Sequence, residues 1–162
     1  MGNDTNDDAR DAALKAHLHG AFDEQIPNFG SYNLVFGAGR SGGGGSFVVG
    51  YRRQPLELIV APLQPRDLSP LDDAVSINLT NVSHLAEVRE GGYEVGTTTG
   101  RVYRFDVADA PSVALPPAAS PDGGSLVRLD QAADALDFRA FMDEFMTRLE
   151  DFSTEQEPAP AD

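Results

Sequence analysis

The feature that most constrains the fold is a change in the spacing of apolar residues along the chain. Between residues 31 and 107 apolar side chains occupy every second position, as Phe47, Val49 and Tyr51 do. This is the pattern of β-strands that turn one face toward a core. On both sides of this stretch the spacing becomes three or four residues, which is typical of amphipathic helices. The sequence therefore predicts an α+β fold: a strongly bent antiparallel sheet, or a partly open barrel of about seven strands, with a short N-terminal helix and a C-terminal amphipathic helix.

The last part of the sheet is predicted to be a three-strand meander within "HLAEVREGGYEVGTTTGRVYRFDV". Its turns fall at Gly91-Gly92 and near Thr99-Gly100, where residues that tolerate positive φ allow tight hairpins. Because side chains alternate between the two faces of a strand, the pattern also indicates which residues face inward. The predicted inward residues are Tyr93, Val95 and Thr97 in one strand and Tyr103, Phe105 and Val107 in the next.

Two helices flank the predicted sheet. The first is predicted over residues 9–22 and carries a narrow apolar stripe that needs a surface to lie on. The second is predicted from about residue 130 to residue 152 and has a broader apolar face. The two apolar faces consist of Leu14, Leu18 and Phe22 in the first helix and of Phe138, Met142, Phe145, Leu149 and Phe152 in the second.

The remaining segments are predicted to lack regular structure. Residues 110–124 are rich in Pro, Ala and Gly and are predicted to be a linker. The polar segments 1–8 and 153–162 are predicted to be disordered. Residues 9–152 thus form a single predicted domain.

The chain is acidic, because 26 Asp and Glu residues oppose 12 Lys and Arg residues and give a formal net charge of −14 at pH 7. Charge of this sign repels nucleic-acid phosphates and anionic membranes, so the predicted partner is a protein, and a basic one is favoured. A host whose proteins are all acidic would produce the same composition, and the charge would then have no functional meaning.

Composition excludes three kinds of chemistry and a membrane-spanning location. The chain has no cysteine, which excludes disulfides, thiolate metal sites and cysteine nucleophiles. It has no apolar run long enough to span a bilayer, and its N-terminal residues are acidic rather than basic and apolar. A cytoplasmic location is therefore predicted.

The segment "YNLVFGAGRSGGGGSFVVGY", residues 32–51, has the spacing of two known motifs. Gly37, Gly39 and Gly42 match a dinucleotide-binding loop, but a strand follows where a helix N-terminus must hold the pyrophosphate. A kinase-type loop needs a lysine on the following strand. The single lysine of this chain, Lys15, lies upstream. The glycine segment is therefore interpreted as a flexible connection between two strands, and no cofactor is predicted.

The second motif is the nucleophile turn of hydrolases, in which Ser41 would stand between Gly39 and Gly43. A triad of Ser41, Asp72 and His84 can be written down. The strand-to-helix turn that holds such a nucleophile is missing from the pattern. A hydrolase that uses Ser41 is kept only as an alternative function.

The order of elements resembles the pleckstrin-homology-like barrel over residues 30–152. "VGTTTGRVYRF" is similar to the sixth and seventh strands of such domains, and "LDFRAFMDEFMTRL" is similar to their closing helix. The resemblance implies a barrel with one open end plugged by that helix. The closing helix of the family usually carries a tryptophan, which this chain lacks, and Phe138 or Phe141 is the nearest substitute.

Phosphoinositide-binding members of this family carry a basic cluster around their first loop. Here that loop offers only Arg40, and Arg52 and Arg53 follow on the next strand. The resemblance therefore does not imply lipid binding. The three arginines are proposed instead as a possible partner surface.

These observations predict a non-enzymatic protein-binding or scaffolding domain, because no coherent set of catalytic residues emerges from the sequence. The alternative is an acidic inhibitor or immunity-type protein that neutralises a basic partner. No catalytic residue and no metal site is predicted. Asp67, Asp72 and Asp73 could gather a hard cation, but they lack the regular ligand spacing of a calcium loop.

Overall fold

The computed structural model describes residues 3–25, 32–39, 45–64, 68–114 and 126–156. These ranges contain two helices and nine strands. In chain order the elements are α1 (Asn3–Asp23), β1 (Asn33–Gly39), β2 (Ser46–Arg53), β3 (Leu56–Leu63), β4 (Val75–Ile77), β5 (Val82–Arg89), β6 (Gly92–Thr97), β7 (Val102–Asp106), β8 (Ser112–Ala114), β9 (Leu126–Arg128) and α2 (Ala132–Gln156).

Seven of the strands form one antiparallel sheet in the order β4-β3-β2-β1-β7-β6-β5. The central strand, β1, pairs with β2 along most of its length but with β7 only at Ala38 and Gly39. The sheet bends into a nearly closed barrel with a seam between β4 and β5, which do not pair in the described part of the chain. The predicted fold class is confirmed.

An interior core fills the space between the concave face of the sheet and α2. Alternate strand positions point into it, among them Tyr51, Tyr93 and Phe105, which are almost fully buried. α2 contributes Phe138 and Phe141, and the ring centroids lie 4.9 Å apart for Tyr51 and Phe141 and 5.4 Å apart for Tyr93 and Phe138. Aromatic pairs of this kind stabilise by about 0.5–1.5 kcal/mol beyond their burial. The aromatic face of α2 therefore belongs to the core.

A second core lies on the outer face of β1, β2 and β3. α1 packs there through Leu14, Leu18 and Phe22, and the short β8–β9 hairpin adds Val113 and Val127. The apolar stripe of α1 thus has the supporting surface that its sequence requires.

Strands β1, β2 and β3 are consequently covered on both faces, whereas the alternating pattern predicted one face toward a core. In β1, Leu34 and Phe36 pack toward α1, whereas Val35 points into the barrel. The alternating pattern could not reveal the second cover, because α1 and the β8–β9 hairpin come from distant parts of the chain.

The helices are longer than predicted. α1 begins at Asn3 rather than at Ala9, and α2 ends at Gln156 rather than at residue 152. The predicted bounds followed the apolar stripes, but a helix can continue beyond its last apolar residue. The remaining residues of the predicted disordered ends, 1–2 and 157–162, lie outside the described residues.

The predicted linker also differs, because β8 lies within it and pairs with β9. Composition does not show this strand, since it depends on a pairing partner further along the chain. Residues 115–124 of the predicted linker are outside the described part of the chain, as are residues 40–44 of the predicted glycine connection. The strands that flank those glycines, β1 and β2, are antiparallel neighbours.

A polar cluster fixes α2 to β2 at the end of the barrel. Asp137 accepts hydrogen bonds from the Tyr51 hydroxyl at 2.8 Å and from Arg53 at 3.0 Å. Arg53 also forms an ion pair with Glu144 at 3.3 Å. The hydrogen bonds from Arg53 hold the pKa of Asp137 below its ordinary value, whereas burial raises the pKa of Tyr51. These contacts fix the position of α2 relative to β2.

Candidate functional site

The structure separates the arginines that were proposed as a partner surface. Arg40 lies outside the described residues, and Arg52 and Arg53 are neighbours on β2 that point to opposite faces. Arg52 forms an ion pair with Glu57 at 2.9 Å and lies 4.6 Å from the centroid of the Tyr32 ring. Arg53 belongs to the cluster that fixes α2. Both described guanidinium groups therefore have partners within the chain, and a partner surface at these residues stays a prediction.

The structure describes two of the three residues of the hypothetical hydrolase triad, Asp72 and His84. Ser41 lies outside the described residues. Asp72 forms a long ion pair with Arg101 at 3.8 Å, and His84 contacts Glu94 at 3.3 Å. The two described members are thus each engaged by a different residue.

The candidate metal ligands give no site within the described ranges. Asp67 lies outside these ranges, and no group of three or more His, Asp or Glu residues inside them is placed to hold a metal ion. Neither α1 nor α2, the helices that the structure describes, is apolar enough over a sufficient length to cross a bilayer.

The candidate site that the geometry favours is a groove between the first turns of α2 and the end of the barrel that carries the β5–β6 turn. We name it the α2 groove, and its volume is about 480 Å³. Its lining consists of Glu90 and Gly91 in the turn, the largely buried Tyr93, residues 107–109 after β7, and Ala132, Ala135, Leu136 and Arg139 of α2.

Gly91 allows the β5–β6 turn to approach the end of β7. Its φ is +76°, and its carbonyl accepts a hydrogen bond from the Val107 amide at 2.8 Å. A Cβ atom here would lie 3.2 Å from the Val107 carbonyl oxygen, so both the conformation and the space favour glycine. Across the groove, Ala132 and Ala135 are small and leave room for a side chain from another molecule.

Leu136 makes one border of the α2 groove apolar. It is 71% exposed, the highest value among the large apolar side chains in the described ranges. A single exposed leucine is ordinary on a protein surface. Here the leucine borders a concave surface, where its side chain can contact an apolar group of a bound molecule.

The charged groups of the α2 groove lie at its rim. Arg139 forms ion pairs with Glu90 at 3.2 Å and with Glu87 of β5 at 3.6 Å. Asp109 adds a further exposed carboxylate. Burial raises the pKa of Tyr93, and Glu87 adds to this effect. The rim therefore has three carboxylates and one guanidinium.

The end of β5 reaches the α2 groove, since Glu87 contacts Arg139 and Glu90 follows the strand. β5 lies at the edge of the sheet, and no other described strand pairs with its outer side. Irregularities in its pairing with β6 occur between Val82 and His84 and between Glu87 and Arg89. Bulges of this kind protect an edge from unwanted pairing, so the regular stretch open to a partner is short.

Two other clefts lack this combination of features. The cleft beside Leu71 adjoins β4, which has only three residues. The cleft beside Arg53 and Arg148 has no exposed large apolar side chain among its described lining residues. Among these three clefts, only the α2 groove combines an exposed leucine in its lining with a side-chain contact to β5.

The α2 groove was not predicted from the sequence. Its residues come from the β5–β6 turn, the end of β7 and α2, which lie far apart in the sequence. One signal was available, because Leu136 is an apolar residue outside the stripe formed by Phe138 and Phe145.

Comparisons with known proteins give no relative for this chain. No protein-family model, no curated protein and no solved structure matches it.

Proposed function

We propose that this chain is a non-enzymatic, cytoplasmic protein-binding domain and that the α2 groove receives one apolar side chain of a protein partner. The backbone of the partner segment would add to the outer edge of β5. Strand addition supplies main-chain hydrogen bonds, and a neighbouring pocket supplies specificity for a side chain.

The observation that carries this proposal is the position of Leu136 in the lining of a concave surface whose Arg139 contacts the side chain of Glu87 on β5. A partner that buries an apolar side chain there gains about 25 cal/mol for each Å² of apolar surface removed from water. Because the regular part of β5 is short, a short partner segment suits the site. The net charge of −14 favours a protein over a nucleic acid.

The proposal includes kinship with the pleckstrin-homology-like barrel. Two features support this kinship: a nearly closed seven-strand antiparallel sheet, and a following helix whose aromatic residues belong to the interior core. The kinship concerns the fold, and the binding proposal depends on the α2 groove itself.

The acidic-inhibitor function remains a second candidate, supported by the net charge and by the carboxylates at the rim of the α2 groove. The two candidates differ in how binding depends on salt. Charge-driven binding among exposed groups weakens steeply when salt shortens the screening length, whereas apolar anchoring does not.

The test begins with a random peptide display library selected on the wild-type protein. Selected peptides are then measured against Leu136→Asp, which places a charge at the border of the groove. We expect their affinity to fall by about tenfold or more, because the apolar contact is lost. Leu126→Asp is the matched control, since Leu126 is 69% exposed and lies on β9, outside the lining of the groove.

Two results would contradict the proposal. One is a set of selected peptides that binds Leu136→Asp as tightly as wild type. The other is the absence of any peptide that binds wild type above background. Strand addition is tested separately by N-methylation of alternating peptide amides, which removes backbone donors. One of the two methylation patterns should abolish binding, and equal binding by both would exclude pairing with β5.

A further inference from the structure

We infer that the α2 groove selects partner segments with an arginine close to the apolar anchor, and that Glu87 and Glu90 bind this arginine. The inference rests on the proposed function and adds the chemistry of the partner at the same site. It also assigns Arg139 the role of an internal competitor for the two carboxylates.

The guanidinium group of Arg139, which already lies in the groove, shows how the two carboxylates are spaced. Nη1 of Arg139 lies 3.2 Å from Oε1 of Glu90, and Nε lies 3.6 Å from Oε2 of Glu87. The two carboxylates are therefore spaced to hold one guanidinium between them. The planar fork of arginine suits such a pair of acceptors better than the point charge of lysine.

The contact between Arg139 and Glu90 is also easy to exchange. The side chain of Arg139 is 42% exposed and that of Glu90 is 84% exposed. Exposed ion pairs of this kind contribute little to stability. A partner arginine can therefore take over Glu90 while Arg139 turns into solvent, and it can then contact Glu87, whose side chain is 27% exposed.

The charge balance selects a basic rather than an acidic partner. With Arg139 in place, the rim still has an excess of carboxylates because of Asp109. A partner carboxylate could pair with Arg139, but Glu87, Glu90 and Asp109 would repel it. The net charge of −14 acts in the same direction over longer distances.

The experiment uses three labelled peptides of the sequence Gly-Ser-X-Thr-Leu-Thr-X-Ser-Gly, in which X is Arg, Gln or Glu. In an extended peptide X and Leu point to the same side. Wild type is expected to bind the Arg peptide most tightly and the Glu peptide least tightly. Arg139→Gln should bind the Arg peptide about two- to fivefold more tightly, because the competitor is gone. The double variant Glu87→Gln, Glu90→Gln should bind the Arg and Gln peptides alike.

Two controls separate specific recognition from attraction to an acidic protein. Arg148→Gln removes the same charge from α2 outside the groove lining, and it should leave the affinity for the Arg peptide unchanged. An Arg peptide with Ser in place of Leu should not bind.

The outcomes distinguish the inference from the proposed function. If the Arg, Gln and Glu peptides bind wild type equally and lose affinity for Leu136→Asp, the inference is wrong and the proposed function stands. A weaker Arg-peptide complex with Arg139→Gln also overturns the inference. If no peptide binds wild type, the proposed binding site is wrong and the inference fails with it.

Discussion

Gln131 joins two strands at the point where their pairing ends. β1 and β7 pair only at Ala38 and Gly39 of β1, and nearby the Gln131 side chain takes the place of a strand neighbour. Its Nε2 donates to the carbonyls of Phe36 at 3.1 Å and Ala108 at 2.8 Å, and its Oε1 accepts from the Phe36 amide at 2.9 Å. The side chain is only 4% exposed. An amide is needed here because the site requires donors and an acceptor together.

Gln131→Glu is expected to lower the free energy of unfolding at pH 7 by about 2–5 kcal/mol, because a buried carboxylate would face two carbonyl oxygens. Burial of this charge raises the folded-state pKa of the new glutamate above the unfolded value of about 4.3. The loss of stability therefore grows as the pH rises above that value and shrinks toward acid. Urea unfolding at several pH values measures it.

The control for this substitution is Gln54→Glu, because Gln54 is exposed in the turn between β2 and β3. It should change stability by less than about 0.5 kcal/mol at any of these pH values. If Gln131→Glu is equally neutral at pH 7, its hydrogen bonds do not hold β1 and β7 together.

At the scale of elements, α1 packs against the sheet through the ring of Phe22, which lies over Gly50 of β2. Phe22 is fully buried, and it contacts Tyr32 with 5.6 Å between ring centroids. A Cβ atom on Gly50 of β2 would lie 2.5 Å from Cζ of Phe22. Because Gly50 has no side chain, the Phe22 ring of α1 can pack directly on the backbone of β2.

Gly50→Ala is expected to lower the free energy of unfolding by about 1–3 kcal/mol, because overpacking displaces the Phe22 ring. Phe22→Leu should recover part of this loss in the double variant, so the two changes should not add. Gly20→Ala is the control, since no heavy atom lies within 4 Å of its added Cβ. It should stabilise the helix by about 0.5–1 kcal/mol. Additivity of the Gly50 and Phe22 changes within about 0.5 kcal/mol would show that the ring does not meet the new methyl group.

The sheet is the part of the fold that local sequence could predict. Alternation identified the inward residues of β6 and β7, and Tyr93, Val95 and Phe105 are indeed buried in the interior core. The predicted turns at Gly91 and Gly100 are also confirmed, since both residues have positive φ. These features depend only on neighbours in the chain.

The features that were missed depend on distant neighbours. Gln131 bonds to Phe36 across 95 positions of the chain, and Arg139 reaches Glu90 across 49. Neither contact leaves a periodic trace in the sequence. The α2 groove, which is formed by such contacts, could not be predicted for the same reason.

At the scale of the whole molecule, the excess of negative charge outweighs the local ion pairs. Within the described ranges, ion pairs join carboxylates to Arg52, Arg53, Arg89, Arg101, Arg104 and Arg139. With 26 acidic residues against 12 basic ones, many carboxylates have no cation to oppose them. Their mutual repulsion acts over the whole surface and favours the expanded, unfolded chain.

Salt is therefore expected to stabilise this protein. Raising NaCl from about 0.05 M to about 0.5 M shortens the screening length from above 10 Å to below 8 Å, which weakens long-range repulsion. The same salt weakens the exposed ion pairs, but each of these contributes only about 0–1 kcal/mol. We expect the free energy of unfolding in urea to rise by an amount on the order of 1 kcal/mol at pH 7.

The rise should fade near pH 4, where carboxylates become protonated and the repulsion disappears. Urea is the suitable denaturant because it is uncharged. A fall in stability with added NaCl at pH 7 would show that the local ion pairs outweigh the net charge.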